Sequence, residues 1–176
     1  MDFSRNSRGQ YNDVVNKSVD DGAINELIFK EFLEQKYKIE LKKKSQYKPY
    51  DFSLNKTVKL EYKGLHYSLD TYTNTAESSS KAPIKTITNV LIGNDKIIYY
   101  YHRKRRNKNL RFFVFYGFIE SSDSVVNKII YRYIEITDLL YEMIMSFPQQ
   151  YYYNKEHVLI PISMLKGLNE CPLFIL

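Results

Sequence analysis

Three side chains in the stretch KPYDFSLNKTVKLEYKG (residues 48–64) are of the types that hydrolyse phosphodiesters: Asp51, Glu61 and Lys63. Side chains on an extended strand alternate between faces, so Glu61 and Lys63 point the same way, with Lys59, while Leu60 and Tyr62 pack on the other side. A hairpin turning at Asn55–Lys56 brings Asp51 back beside Glu61. Two carboxylates brought together repel each other, and a divalent cation relieves this by taking oxygen from both. A lysine alongside can orient or activate a water, or stabilise charge developing on a phosphate. The ordinary alternative is a solvated strand face with cross-strand ion pairs, each worth at most about 1 kcal/mol.

Glu-x-Lys occurs twice more, at Glu34–Lys36 and Glu40–Lys42. The first falls on a predicted helix, where residues i and i+2 do not face each other. The second has no acid on a strand paired before it.

A helix carrying Glu26 (GAINELIFKEFL), then Pro49-Tyr-Asp51, then an apolar strand with Glu61-Tyr-Lys63, resembles the PD-(D/E)xK nucleases, the restriction-endonuclease-like superfamily. The resemblance spans residues 22–64 and carries one extra residue, Tyr50, between the proline and the acid. No histidine precedes Asp51, unlike the cap-snatching viral branch of that superfamily. The resemblance implies a restriction-endonuclease-like core and a divalent metal, Mg²⁺ or Mn²⁺, held by Asp51, Glu61 and the Tyr62 carbonyl. It gives Lys63 the water-orienting role and Glu26 an outer metal- or water-holding one. Helical phase places Glu31 nearer the apolar stripe than Glu26, and Asp70 is a third acid near the sheet, so the acid completing the site stays open among these.

The elements that must position these residues read as a mixed α/β domain: a central mixed sheet flanked by helices. Residues 1–19 are polar, and 20–176 form one domain without internal repeats. DDGAINELIFKEFLEQKY is an amphipathic helix, capped by Asp20 or Asp21, with Ile24, Leu27, Ile28, Phe32 and Leu33 as its apolar positions. KIELK is a short strand, and LHYSLDTYT continues the sheet. IKTITNVLIG reads as a helix, despite β-branched residues that disfavour it. KIIYYYH and LRFFVFYGFIE are strands joined by RKRRNKN. KIIYRYIEI is a further strand, Thr137 caps the helix DLLYEMIMSF, and HVLIPISMLKGL runs from strand into short helix.

The chain carries 26 basic and 20 acidic side chains, a net charge of +6, and the excess is uneven. Lys42, Lys43 and Lys44 lie just before the acids, and Arg103, Lys104, Arg105, Arg106, Lys108 and Arg111 crowd one connection. Basic clusters of this kind attract a nucleic-acid backbone without reading its sequence. The 17 tyrosines and 10 phenylalanines are assigned to strand and core packing. Cys171, the single cysteine, forms no internal disulfide, and neither a zinc-ligand spacing nor a phosphate-binding glycine loop is present. No apolar run is long enough for a membrane span, so a soluble, intracellular protein is expected, cytoplasmic or nuclear.

The reading is a metal-dependent endonuclease acting on DNA in preference to RNA, and working as a homodimer if it cuts two strands. The alternatives are a non-catalytic nucleic-acid-binding protein with a degenerate nuclease-like fold, and a structural protein of a virus or mobile element.

Overall fold

Asn55 makes the turn that builds the centre of the sheet. Its Oδ1 accepts from Thr57 N (2.9 Å), Thr57 Oγ1 (3.0 Å) and Val58 N (2.9 Å), closing the loop between two antiparallel segments. In the structure, a computed structural model that describes residues 22–45, 48–68, 89–122, 125–152 and 154–175, these segments are β2 (Phe52–Ser53) and β3 (Val58–Ser68). They pair Phe52 with Leu60 and Ser53 with Lys59. On the outer side, β1 (Lys42–Lys43) pairs with β2.

The chain divides into two compact units, Met1–Ile39 and Glu40–Leu176. In the first, residues 22–37 form helix α1. Its buried stripe is Asn25, Phe29 and Leu33, four residues apart, while Ile24, Leu27 and Ile28 are exposed. The buried face is therefore rotated from the expected apolar stripe, leaving Glu26 half-buried and Glu31 exposed, the reverse of the order helical phase suggested. The polar segment 1–19 lies outside the described residues.

In the second unit, β4 (Asn89–Gly93) leads into α2 (Asn94–Arg106), and then β5 (Arg111–Ser122) and β6 (Val125–Glu135) follow. Helix α3 (Asp138–Ile144), β7 (Gln149–Tyr152), β8 (Lys155–Pro161) and β9 (Lys166–Gly167) complete the order, with 3₁₀ turns at Ile162–Met164 and Leu168–Glu170. The main sheet runs β1-β2-β3-β5-β6-β9, and β4-β8-β7 form a second, antiparallel sheet. Strands β3 and β5 are parallel over their full length, from Val58 opposite Arg111 to Ser68 opposite Ser121. A parallel pair needs a crossover, and α2 lies on it. The other pairings of the main sheet are antiparallel, so the sheet is mixed as expected.

Alternation on β5 defines the two faces. Phe112, Val114, Tyr116 and Phe118 join Ile97 and Tyr100 of α2, Leu140 and Ile144 of α3, and Val90, Ile92, Val158 and Ile160 of the small sheet in one buried core. Tyr100 stacks on Phe112 with ring centroids 4.4 Å apart, and Tyr101 stacks on Tyr141 of α3 at 3.8 Å. The opposite face carries Phe113 and Phe115, packed against Tyr133. Thr137 Oγ1 accepts from Leu140 N (3.1 Å), the predicted cap of α3.

The expected strand KIELK is shorter and later, at Lys42–Lys43, and three further elements differ from expectation. KIIYYYH, rich in strand-favouring residues, lies within α2 because burial of Ile97 and Tyr100, one turn apart, outweighs local preference. The basic run that follows is the last turn of that helix, where positive charge is favoured by the helix dipole, and not a hairpin connection. Asn89–Gly93, placed in a helix by sequence, is strand β4 with Val90, Ile92 and Gly93 buried; residues 84–88 lie outside the described ones. No helix among the described residues is long and apolar enough to cross a membrane.

Candidate active site

Lys59, Glu61 and Lys63 occupy one face of β3, opposite Phe112, Val114 and Tyr116 of β5, and so lie on the side of the sheet that α2 covers. Leu60 and Tyr62 are buried on the other face, as the alternation requires. Asp51 stands at the start of β2, its N–H donating to Leu60 O (2.9 Å). Its Oδ2 in turn accepts from Tyr62 N (2.7 Å), which fixes the carboxylate just past the end of the β2 pairing. Because N–H and C=O of one strand residue point to the same edge, the Tyr62 carbonyl lies on the edge of β3 that faces Asp51.

Glu61 is 4% exposed. One of its oxygens, Oε1, meets two ammonium groups: Lys63 Nζ at 3.6 Å and Lys96 Nζ of α2 in direct hydrogen bond. The other, Oε2, is buried with no hydrogen-bond partner. An ionised carboxylate with an unmatched buried oxygen is costly, and the titration reflects it. Burial first, and the Asp51 charge second, push the Glu61 pKa up to about 7 against the pull of Lys63 and Lys96. Burial likewise lowers the pKa of Lys63, partly offset by the nearby Glu61. Tyr100 Oη donates to Pro49 O (2.6 Å), tying α2 to the loop before Asp51. Burial and the charges of Glu61 and Asp51 raise the Tyr100 pKa and keep it neutral.

The arrangement therefore offers two carboxylates, with Glu61 sensing the charge of Asp51, a buried Glu61 oxygen without a hydrogen-bond partner, a main-chain carbonyl and two cations. Among the described residues no group of three or more His, Cys, Asp and Glu gathers as a metal cage, so a cation here would draw on two carboxylates and the main chain. Carboxylate and carbonyl oxygens suit a hard divalent ion such as Mg²⁺.

Of the other expected site residues, Glu26 and Glu31 lie on α1 in the first unit, and Asp70 lies outside the described residues. Lys42 and Lys43 are exposed on β1, and Lys44 is half-buried, with its N–H bonded to Asp51 O (2.8 Å). Arg103, Arg105, Arg106 and Lys108 are exposed at and beyond the C-terminal end of α2, with Lys104 half-buried among them. Arg103 lies over the Tyr99 ring (5.1 Å) and Arg105 over that of Tyr101 (5.6 Å). Arg111 is engaged with β6: its Nε and Nη2 donate to the two oxygens of Glu135 at 2.7 and 2.9 Å.

Lys96 was missed by sequence reasoning. By sequence its element reads as a strand, and 35 residues separate it from Glu61. The available signal was Asp95 near the start and four basic residues at the end of the same segment, the charge polarity of a helix.

No family model matches the chain, and no curated protein or solved structure is significantly similar to it.

Proposed function

We infer that the chain is a divalent-metal-dependent nuclease hydrolysing phosphodiester bonds, with DNA favoured over RNA. The observation that carries this reading is the Glu61 carboxylate, buried beside Asp51 with one oxygen held by Lys63 and Lys96 and the other without a partner. The order β2 with Asp51, β3 with Glu61 and Lys63, crossover through α2, and parallel β5 supports a restriction-endonuclease-like core.

Asp51, Glu61 and the Tyr62 carbonyl would hold Mg²⁺ or Mn²⁺, which when bound supplies positive charge against the phosphoryl oxygens and lowers the pKa of water. Asp51 is kept in place for this by the Tyr62 N–H. Lys63, whose ammonium burial disfavours, orients a water for in-line attack on phosphorus and helps take up its proton. Lys96, by its charge and hydrogen bond, pulls the Glu61 pKa down against burial and so favours the ionised carboxylate. Attack forms the new P–O bond as the bond to the leaving sugar oxygen breaks, and that oxygen takes a proton from solvent water. Homodimerisation would supply a second such site for the opposite strand.

A second reading rests on the same lysines. Two ammonium groups already match the Glu61 charge, which also suits a degenerate nuclease fold kept for binding nucleic acid. Cleavage of plasmid and of short single- and double-stranded DNA and RNA, with Mg²⁺, Mn²⁺ or EDTA, separates the two. Metal-dependent cutting abolished by Lys63→Ala supports the nuclease. Binding without cutting, equal in wild type and variant, supports the binder.

A further inference from the structure

Tyr100 of α2 carries a hydroxyl where the packing needs only a ring. It is 2% exposed, and its ring stacks on Phe112 with centroids 4.4 Å apart. Phenylalanine would fill the same space without taking an O–H out of water, a cost that a buried tyrosine offsets only through a hydrogen-bond partner. The partner here is the Pro49 carbonyl, 2.6 Å away and 51 residues distant in the chain. Pro49 stands two residues before Asp51, so the bond reaches from the crossover helix to the segment that carries one of the two candidate carboxylates.

That segment has few fixings of its own. Strands β1 and β2 are two residues long each, where about five or six is usual. Asp51 lies at their end, its N–H donating to Leu60 O (2.9 Å) and its carbonyl accepting from Lys44 N (2.8 Å). Its carboxylate accepts from Tyr62 N (2.7 Å). Lys96 and Tyr100 are four residues apart on α2 and so share a face, one turn from each other. Lys96 holds Glu61 and Tyr100 holds the approach to Asp51, so one face of one helix reaches both halves of the carboxylate pair. The Tyr100 ring is clamped by Phe112 and meets Tyr99 edge-on at 6.0 Å, which makes its hydroxyl a fixed point.

We propose that the Tyr100 hydroxyl is a positioning group of the candidate site: it holds the Pro49–Asp51 segment so that the Asp51 carboxylate stays on the Tyr62 amide, placed to share a divalent cation with Glu61. The proposal rests on the metal-dependent reading of this site, and it deepens that reading by naming a residue outside the ligand set that fixes one ligand. Hydrogen bonds behind metal ligands typically carry about 10- to 100-fold in metal affinity. The alternative is a hydroxyl that only braces α2 against the sheet.

The test compares wild type, Tyr100→Phe, Asp51→Asn, the double variant of these two, and Tyr133→Phe. Tyr133 is the matched control: it is 4% exposed, and its hydroxyl also donates to a main-chain carbonyl, Glu170 O at 2.9 Å. It packs with Phe113 and Phe115 on the other face of the sheet. Mn²⁺ alone is titrated into each protein without nucleic acid, and the free ion is read by electron paramagnetic resonance. Hydrogen exchange of the Tyr62 amide is followed by NMR in EDTA, and urea unfolding in EDTA reports stability. Tyr100→Phe is expected to weaken Mn²⁺ binding about 10-fold or more, and to speed exchange at Tyr62 relative to the amides of β5. Tyr133→Phe is expected to leave both as in wild type, at a comparable loss of stability. In the Asp51→Asn background, removing the Tyr100 hydroxyl is expected to cost little further affinity, because it acts through that carboxylate. Mn²⁺ affinity or Tyr62 exchange equal to wild type in Tyr100→Phe overturns the proposal and leaves the metal reading standing. A loss matched by Tyr133→Phe, or one that adds in full to that of Asp51→Asn, also overturns it, since the hydroxyl would then act on the fold and not on Asp51. Wild type that binds no Mn²⁺ sinks the metal reading, and the proposal with it.

Discussion

Lys96 of α2 donates a hydrogen bond to Glu61 of β3, joining the crossover helix to the strand that carries the candidate chemistry. The pair also sets how Glu61 titrates. Its pKa is raised from the ordinary carboxylate range to about 7, so the folded state binds a proton more tightly than the unfolded chain. The contribution of Glu61 to stability is therefore fully present at acid pH and is lost as pH rises from about 4.5 through about 7. The stability of wild type relative to Glu61→Gln, followed by urea unfolding, is expected to fall between pH 5 and pH 8 by on the order of 3 kcal/mol. Under the nuclease reading, Mg²⁺ should restore wild-type stability at pH 8, little at pH 5, and not in the variant, because a cation held by Glu61 would need the deprotonated carboxylate. A difference that is flat with pH would show that Glu61 is ionised throughout.

The two lysines on Glu61 have separable roles under the nuclease reading. Lys63 shares the Glu61 face of β3 and acts on the attacking water, so Lys63→Ala is expected to lower kcat about 10²- to 10⁴-fold with little change in nucleic-acid affinity. Lys96 acts through Glu61, lowering its pKa by charge and hydrogen bond. Lys96→Met is therefore expected to move the acid limb of the pH–rate profile to higher pH, with recovery of rate at alkaline pH. A uniform loss at every pH would place Lys96 on the reacting groups instead.

The site and the fold were not equally legible. The β2–β3 hairpin could be read because its signals are local: Asn55 at the turn, strict alternation from Lys59 to Lys63, and an acid upstream. The same holds for β5, β6 and the Thr137 cap. Helix α2 was hidden because Ile97, Ile98, Tyr99, Tyr100 and Tyr101 prefer strands when taken singly. Their helical state depends on Ile97 and Tyr100 packing against Phe112 and its neighbours, a contact that no local pattern encodes. The Lys96 partnership was lost with it, since it depends on the α2 crossover.

Tyr62 is held from behind by a glycine. Gly117 of β5 lies across from Gly64, and a Cβ added there would come within 2.2 Å of Tyr62 Oη and 3.0 Å of the ring carbon bearing it. Tyr62 is 6% exposed and its ring is stiff, so the clash cannot be relieved by swinging a flexible end aside. Gly117→Ala is expected to cost about 1–3 kcal/mol of unfolding free energy. Tyr62→Phe combined with Gly117→Ala should recover part of that loss by removing the nearest atom. If Gly117→Ala unfolds like wild type in urea, the strand is free to shift and the tight contact has no energetic weight.

Arg111, one of the basic residues of the sequence reading, is paired within the fold. Its guanidinium makes a two-pronged contact with Glu135 of β6 and lies 5.1 Å over the Phe113 ring, at the end of the β5–β6 pairing. A two-pronged pair holds its geometry better than a single surface ion pair, so Arg111→Ala is expected to lower stability by about 1 kcal/mol. Its charge is already matched, so the salt dependence of nucleic-acid binding should not change. Arg103→Ala should do the opposite: stability near wild type and a slope shallower by about 0.7–0.9, since its charge faces solvent over Tyr99. Measuring urea midpoints and salt slopes on both variants checks the division. A slope that falls on loss of Arg111 as it does on loss of Arg103 would return Arg111 to the phosphate contacts and reduce the Glu135 pair to a resting position of a mobile side chain.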